Sequence, residues 1–288
     1  MKKSFMKAQH RQREGIQYKH DLGQHFLYDT ALLTSLVERT GVSKEDSVLE
    51  IGPGSGALTR CLSQAAARVV AVEVDEAILP YLRATLEDAQ NVTVVQGDVR
   101  RQDLKALCAP LGEGFYVIAN IPYNITTPIL QLFLGSDLPV RQMSVMIQKE
   151  VADKLLALPG EENYGLMSFK CRYYCEPEMV AVVPAEMFTP PPKVDSAFVN
   201  LRFRKAPLLP VADEALLFRM VTAAFNLRRK TLCNALSGVL SLSGDELRRE
   251  LSALSLSPTV RGEALTIEQW ISLANACARR TDSAQNIL

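Results

Sequence analysis

The sequence predicts an α/β protein: a mostly parallel sheet followed by a small helical domain. Three observations carry the prediction. From Asp29 onward, short apolar runs alternate with helical patterns. Glycines, acids and an asparagine stand repeatedly at the ends of those runs. Beyond Lys205-Ala206-Pro207 only helical periodicity remains.

Taken in order, Ala31 to Arg39 reads as helix, Ser47 to Ile51 as a short buried strand, and Ala57 to Ala66 as helix. Arg68 to Val74 is a β-branched strand and Glu76 to Glu87 a helix. Val92 to Gln96, Phe115 to Ala119 and Met143 to Ile147 read as further strands. A helix over Pro128 to Leu134 separates the last two, and another begins near Lys149. Such alternation implies right-handed crossovers and a parallel sheet. Met179 to Val183 and Ala197 to Phe203 are strands with no long helix between them, which fits an antiparallel hairpin at one side of the sheet. In the helical part, Leu217, Met220, Val221, Ala224 and Phe225 share one face, and Ser243/Glu246 and Thr266/Gln269 form capping boxes. The expected organisation is a basic arm over residues 1–20, a sheet domain over 21–205 and a helical domain over 206–288.

A chain of 288 residues with 48% hydrophobic content has ample core, and its formal net charge of zero removes whole-molecule attraction to polyanions. Any nucleic-acid site must come from clustering, as in the arm, where six lysines and arginines face only Glu14. A solvated tail is the plainer account of that arm. The six cysteines form no Cys-x-x-Cys pair, and the three histidines all precede Phe26, so no zinc set is expected. With no signal-length or membrane-spanning apolar run, the reading is a soluble cytoplasmic protein.

Gly52-Pro53-Gly54-Ser55-Gly56-Ala57 satisfies the dinucleotide fingerprint, and Glu73 follows at the spacing of a ribose-binding acid. A nicotinamide enzyme competes on this loop alone. Three residues favour S-adenosylmethionine. Glu50 precedes the loop and suits a cationic amino group. Asp98, after Gly97, can accept from an adenine amine. Asn120 ends the next strand, where a nicotinamide enzyme has no use for it.

Asn120-Ile121-Pro122-Tyr123 is the expected catalytic turn. The 6-amino nitrogen of adenine is a weak nucleophile because its lone pair is delocalised. An acceptor on each of its hydrogens frees that lone pair. The Asn120 amide oxygen supplies one acceptor and a turn carbonyl the other; Pro122 fixes the backbone, and Tyr123 stacks on the ring. Neither a strong base nor a metal is required. The segment Phe188 to Val194 holds three prolines that can aim Phe188 across the pocket from Tyr123, with Lys193 meeting a phosphate. A plain polyproline linker is the alternative.

Gln24 to Leu27, Glu50 to Gly56, Gly97-Asp98, Asn120 to Ile125, Gln148 to Ala152, Phe188 to Ser196 and Phe225 to Thr231 together resemble the small-subunit (16S) ribosomal RNA adenine dimethyltransferases, the kasugamycin-resistance methylases. The resemblance implies a Rossmann-like class I methyltransferase domain with a small C-terminal α-helical domain. It implies S-adenosylmethionine-dependent dimethylation of two adjacent adenines near the 3′ end of 16S RNA, by a monomer acting on the immature small subunit. Gln24, His25, Leu27, Glu50, Gly52, Gly54, Glu73, Asp98 and Asn120 would line the cofactor site. Lys193, Arg228, Arg229 and Lys230 would contact RNA, the last three from a helix whose plainer account is a solvated face. The macrolide-resistance methylases of 23S RNA share the glycine loop and the Asn-x-Pro-Tyr turn. A non-catalytic assembly factor is the alternative from another class.

Overall fold

The computed structural model describes residues 23–240 and 242–285, with side chains to residue 280; the arm read over residues 1–20 lies outside the described residues. The chain forms two compact units. One comprises residues 23–152 and 176–203, the other residues 153–175 and 204–285.

The first unit opens with β1 (Phe26–Leu27) and α1 (Thr30–Glu38), which starts where the Asp29 side chain accepts from the Leu32 amide. There follow β2 (Ser47–Ile51), α2 (Ala57–Ala65), β3 (Arg68–Glu73), α3 (Leu79–Thr85), β4 (Val92–Gln96), α4 (Leu104–Cys108), β5 (Phe115–Asn120), α5 (Thr126–Phe133) and β6 (Val140–Gln148). Next in the chain are α6 (Lys149–Leu156) and α7 (Leu166–Tyr174), of which residues 153–174 belong to the second unit, and then β7 (Cys175–Val183), β8 (Phe188–Thr189) and β9 (Ser196–Phe203). The seven-stranded sheet runs β4-β3-β2-β5-β6-β9-β7. β2 to β6 pair in parallel, and β9 pairs antiparallel with β6. Valines and isoleucines along β2, β3 and β5 are almost fully buried, as strands covered on both faces require.

The strand order reverses at β2, which lies between β3 and β5. Ligands bind in the crevice at the carboxyl ends of strands flanking such a switch point. The glycine loop after β2 and the Asn120 turn after β5 therefore meet there.

The expected hairpin lies at the predicted edge, but β7 begins at Cys175 rather than Met179 and contains Pro177. An edge strand tolerates a residue that cannot donate to the ladder. β1 and β8 form a separate two-stranded antiparallel sheet.

The second unit adds α8 (Glu214–Asn226), α9 (Leu232–Leu236), α10 (Gly244–Ala253) and α11 (Ile267–Gln285). Both capping boxes form: the Ser243 amide donates to Glu246, and the Thr266 amide donates to Gln269. The boundary at residue 205 needs correction, because residues 153–175 belong to this unit. Tyr164 and Phe169 are fully buried in one cluster with Leu217, Met220 and Trp270. The helical core is thus assembled from two separated stretches of chain. Among the described residues no helix is long and apolar enough to cross a membrane, and all six cysteines are buried and free.

Candidate active site

A cavity of about 240 Å³ opens at the switch point. Gly52, Gly54, Glu73, Asp98 and the turn from Asn120 to Tyr123 line it, together with Gln24 and His25. Gly54 has a φ of +54°, and a Cβ there would drive into the Phe26 ring. Only glycine lets the loop approach so closely.

Glu73 is 4% exposed and accepts from the Gly54 amide at 2.9 Å and the Asp75 amide at 2.8 Å. Each oxygen keeps a further lone pair for a ribose hydroxyl. Burial pushes this carboxyl up, and the two amides pull it back. Gln24 donates to Asp75 at 3.1 Å.

Glu50 does not line the cavity. It is 1% exposed and lies just before the lining residues Ile51 and Gly52. Burial pushes its carboxyl up to about 8, Thr59 offsets part of this, and Glu73 adds repulsion. The Thr59 contact falls short of full hydrogen-bond geometry, and Glu50 Oε2 has no partner among the described residues. A buried, unsatisfied carboxyl beside a glycine loop fits a cationic group such as a methionine ammonium. Without such a cation, the folded state holds a proton that the unfolded chain releases above about pH 4.5. Stability contributed by this group is therefore present below that pH and is lost as pH rises towards about 8. Glu50→Gln should flatten the decline, by on the order of 1 kcal/mol per pH unit within the window. Denaturant unfolding of the ligand-free protein at about pH 5 and about pH 7.5 measures it; parallel pH dependences of wild type and variant would contradict it.

Asp98 caps a short 3-10 turn and is gripped by Arg100, with contacts of 2.9 Å from Nε and 2.7 Å from the terminal nitrogen. This pairing holds its carboxyl below the usual range. Arg100 itself lines the cavity, as do Phe26, Val74 and Val99, to none of which the sequence had assigned a place in the site. Val74 was detectable as an apolar residue directly after Glu73; it is 47% exposed.

The Asn120 amide nitrogen donates to the His25 backbone carbonyl at 2.9 Å. A carbonyl can only accept, so the amide orientation is fixed and Oδ1 remains for a substrate hydrogen. The Pro122 carbonyl accepts from the Ile125 amide at 3.1 Å and from the Thr126 hydroxyl at 3.4 Å. The Tyr123 ring stacks on His25, with centroids 5.3 Å apart and planes at 29°. His25 Nδ1 is 2.7 Å from the Pro190 carbonyl, so it carries the proton.

Two further expected placements need correction. Phe188 does not face Tyr123: it is 2% exposed, pairs with Leu27 across the small sheet and packs with Met146 and Phe198. Leu27 likewise turns into that core and does not line the cavity. Two-stranded pairing buries both side chains together. Lys193 is exposed beside Val194.

This arrangement, a glycine loop, a buried acid at the end of β3 and an oriented amide in an Asn-x-Pro-Tyr turn, coincides with a family-level match. The model of the ribosomal RNA adenine dimethylases matches residues 15–279. The chain belongs to the ribosomal RNA adenine dimethylase family. It is accordingly an S-adenosylmethionine-dependent methyltransferase acting on ribosomal RNA. Ribosomal RNA small subunit methyltransferase A of Alkaliphilus metalliredigens is 43% identical over 268 residues, 92% of this chain and 93% of that protein. The protein of the same name from Clostridioides difficile is 39% identical over 274 residues, 94% and 95% of the two chains. The crystal structure of the 23S rRNA methyltransferase ErmE superposes with a TM-score of 0.69 at 28% identity, covering 88% of this chain and 99% of that one. A Plasmodium falciparum dimethyladenosine transferase shares the fold with a TM-score of 0.77 at 23% identity, covering 89% and 98%. Family membership removes the nicotinamide alternative for the glycine loop.

Proposed function

We propose that this dimethylase modifies the 6-amino groups of two adjacent adenines in the 3′-terminal helix loop of 16S RNA, within the immature small ribosomal subunit, as a cytoplasmic monomer. The oriented Asn120 amide carries the reading. Its nitrogen is committed to the His25 carbonyl, so its oxygen is the group offered to an incoming amine. The names of the relatives at 39% and 43% identity support the small subunit over the large one.

S-adenosylmethionine supplies the electrophilic methyl group. The protein's task is to position and activate the amine. Asn120 Oδ1 accepts one amine hydrogen and a turn carbonyl the other, drawing the nitrogen towards tetrahedral geometry and freeing its lone pair. Tyr123 holds the base plane. The departing proton becomes acidic as the nitrogen is alkylated and leaves to solvent. Glu73 would hold the ribose of the donor and Asp98 its adenine, the Asp98 carboxylate already accepting from Arg100.

RNA contact in the helical unit falls to Arg229 and Lys230. Both are exposed in the turn that follows α8, not on a helix as the sequence suggested. Arg228 is engaged within its own unit by Glu263 at 2.9 Å and the Glu162 carbonyl at 3.0 Å. Replacing Arg229 and Lys230 by alanine should weaken particle binding and lower its salt slope by about 1–2, since fewer counterions are released. Arg228→Ala should instead loosen the 157–163 loop and leave most of the salt slope intact. Binding titrations over a range of salt read both; an unchanged slope in the double variant would reduce these residues to a solvated surface.

The proposal as a whole is tested by transfer assays on unmodified small subunits, naked 16S RNA and large subunits. Preference for the small-subunit particle is expected, and preference for 23S RNA would favour the ErmE-like reading.

A further inference from the structure

The Tyr123 hydroxyl is hydrogen-bonded to Ser196 Oγ. Ser196 is fully buried and opens β9, the strand that runs antiparallel to the rest. Because β9 is reversed, its first residue lies at the sheet edge where the parallel strands end. Register fixes it there: Ser196 pairs with Gln148, and the Lys149 amide donates to the Asp195 carbonyl at 2.9 Å. On the other side of β6, Asn120 pairs with Met146, and the Ile121 amide donates to the Met146 carbonyl at 3.1 Å. The catalytic turn and Ser196 are thus carried by strands that share β6.

We propose that Ser196 is a positioning residue for methyl transfer, fixing the Tyr123 ring through its hydroxyl so that the base platform keeps one orientation. The proposal rests on the reading of Tyr123 as that platform. The hydroxyl lies at the far end of the ring from the backbone, so a bond there restrains tilt with the longest lever. The His25 stack restrains the face but leaves the ring free to slide. Together the two contacts clamp the ring from segments outside the turn: residue 25, itself held by the Pro190 carbonyl, and residue 196. A buried serine hydroxyl needs a partner in any case, so the hydrogen bond alone does not establish the role. What distinguishes the role is a loss in turnover without a loss in cofactor binding.

The test uses the full chain on unmodified small subunits, with Ser196→Ala, Tyr123→Phe, their combination and Tyr123→Ala. Turnover, KM for S-adenosylmethionine and melting temperature are measured, and rates are normalised to folded protein. Ser196→Ala and Tyr123→Phe should each lower kcat about ten-fold, the size of a small misplacement of reacting groups. KM for S-adenosylmethionine should stay unchanged. The combination should cost no more than either alone, because both delete one bond. If Ser196→Ala fails to fold, Tyr123→Phe deletes the same bond from the other side and decides the matter. Wild-type turnover in Tyr123→Phe with an inactive Tyr123→Ala would overturn the positioning role and leave the platform standing. Full activity of Tyr123→Ala would overturn the platform itself. Additive losses in the combination would show that Ser196 acts elsewhere.

Discussion

Asn120→Ala should abolish methyl transfer while the protein stays folded and still binds S-adenosylmethionine, with affinity reduced by the lost wall of the cavity. The side chain makes one structural hydrogen bond, to the His25 carbonyl, and offers its oxygen to the substrate. Removing an acceptor used only as the amine becomes a nucleophile should cost on the order of 3 kcal/mol in the barrier, roughly a hundred-fold or more in rate. Single-turnover assays at saturating cofactor isolate this effect from binding. Near-normal single-turnover rates would remove Asn120 from the chemistry.

Phe188→Ala should act on stability. The ring is 2% exposed and packs in the core with Met146 and Phe198, so truncation leaves a cavity and should cost about 3–5 kcal/mol. The folded fraction should keep most of its specific activity, because Tyr123 and Asn120 are held by other contacts. Thermal melts paired with transfer rates read both quantities. An unchanged melting temperature with lost activity would return Phe188 to the face of the base.

Three cavity residues legible in the sequence share one property: each stands at or just beyond the carboxyl end of a short parallel strand. Glu73, Asp98 and Asn120 follow runs whose apolar character is unambiguous, so their place at the carboxyl edge could be read from order alone. What was missed depends on pairings distant in sequence. Phe188 resembled an exposed aromatic because three prolines follow it, yet its burial comes from pairing with Leu27, far earlier in the chain. Arg228 resembled a free cation until Glu263 and Glu162 closed on it. α7 joined the helical unit because Phe169 packs on Trp270, a contact no local periodicity encodes. The grip of Arg100 on Asp98 spans only two residues and is legible in the Asp98-Val99-Arg100 spacing itself.

In the proposed function the oriented Asn120 turn delivers methyl groups to adenine N6 in small-subunit RNA. The direct measurement is to incubate unmodified small subunits with the protein and S-adenosylmethionine, digest the RNA and map modified nucleosides by mass spectrometry. The account predicts N6,N6-dimethyladenosine at two adjacent positions near the 3′ end of 16S RNA, and none with Asn120→Ala. Methyl groups on another base or another ring atom, or only on 23S RNA, would contradict it.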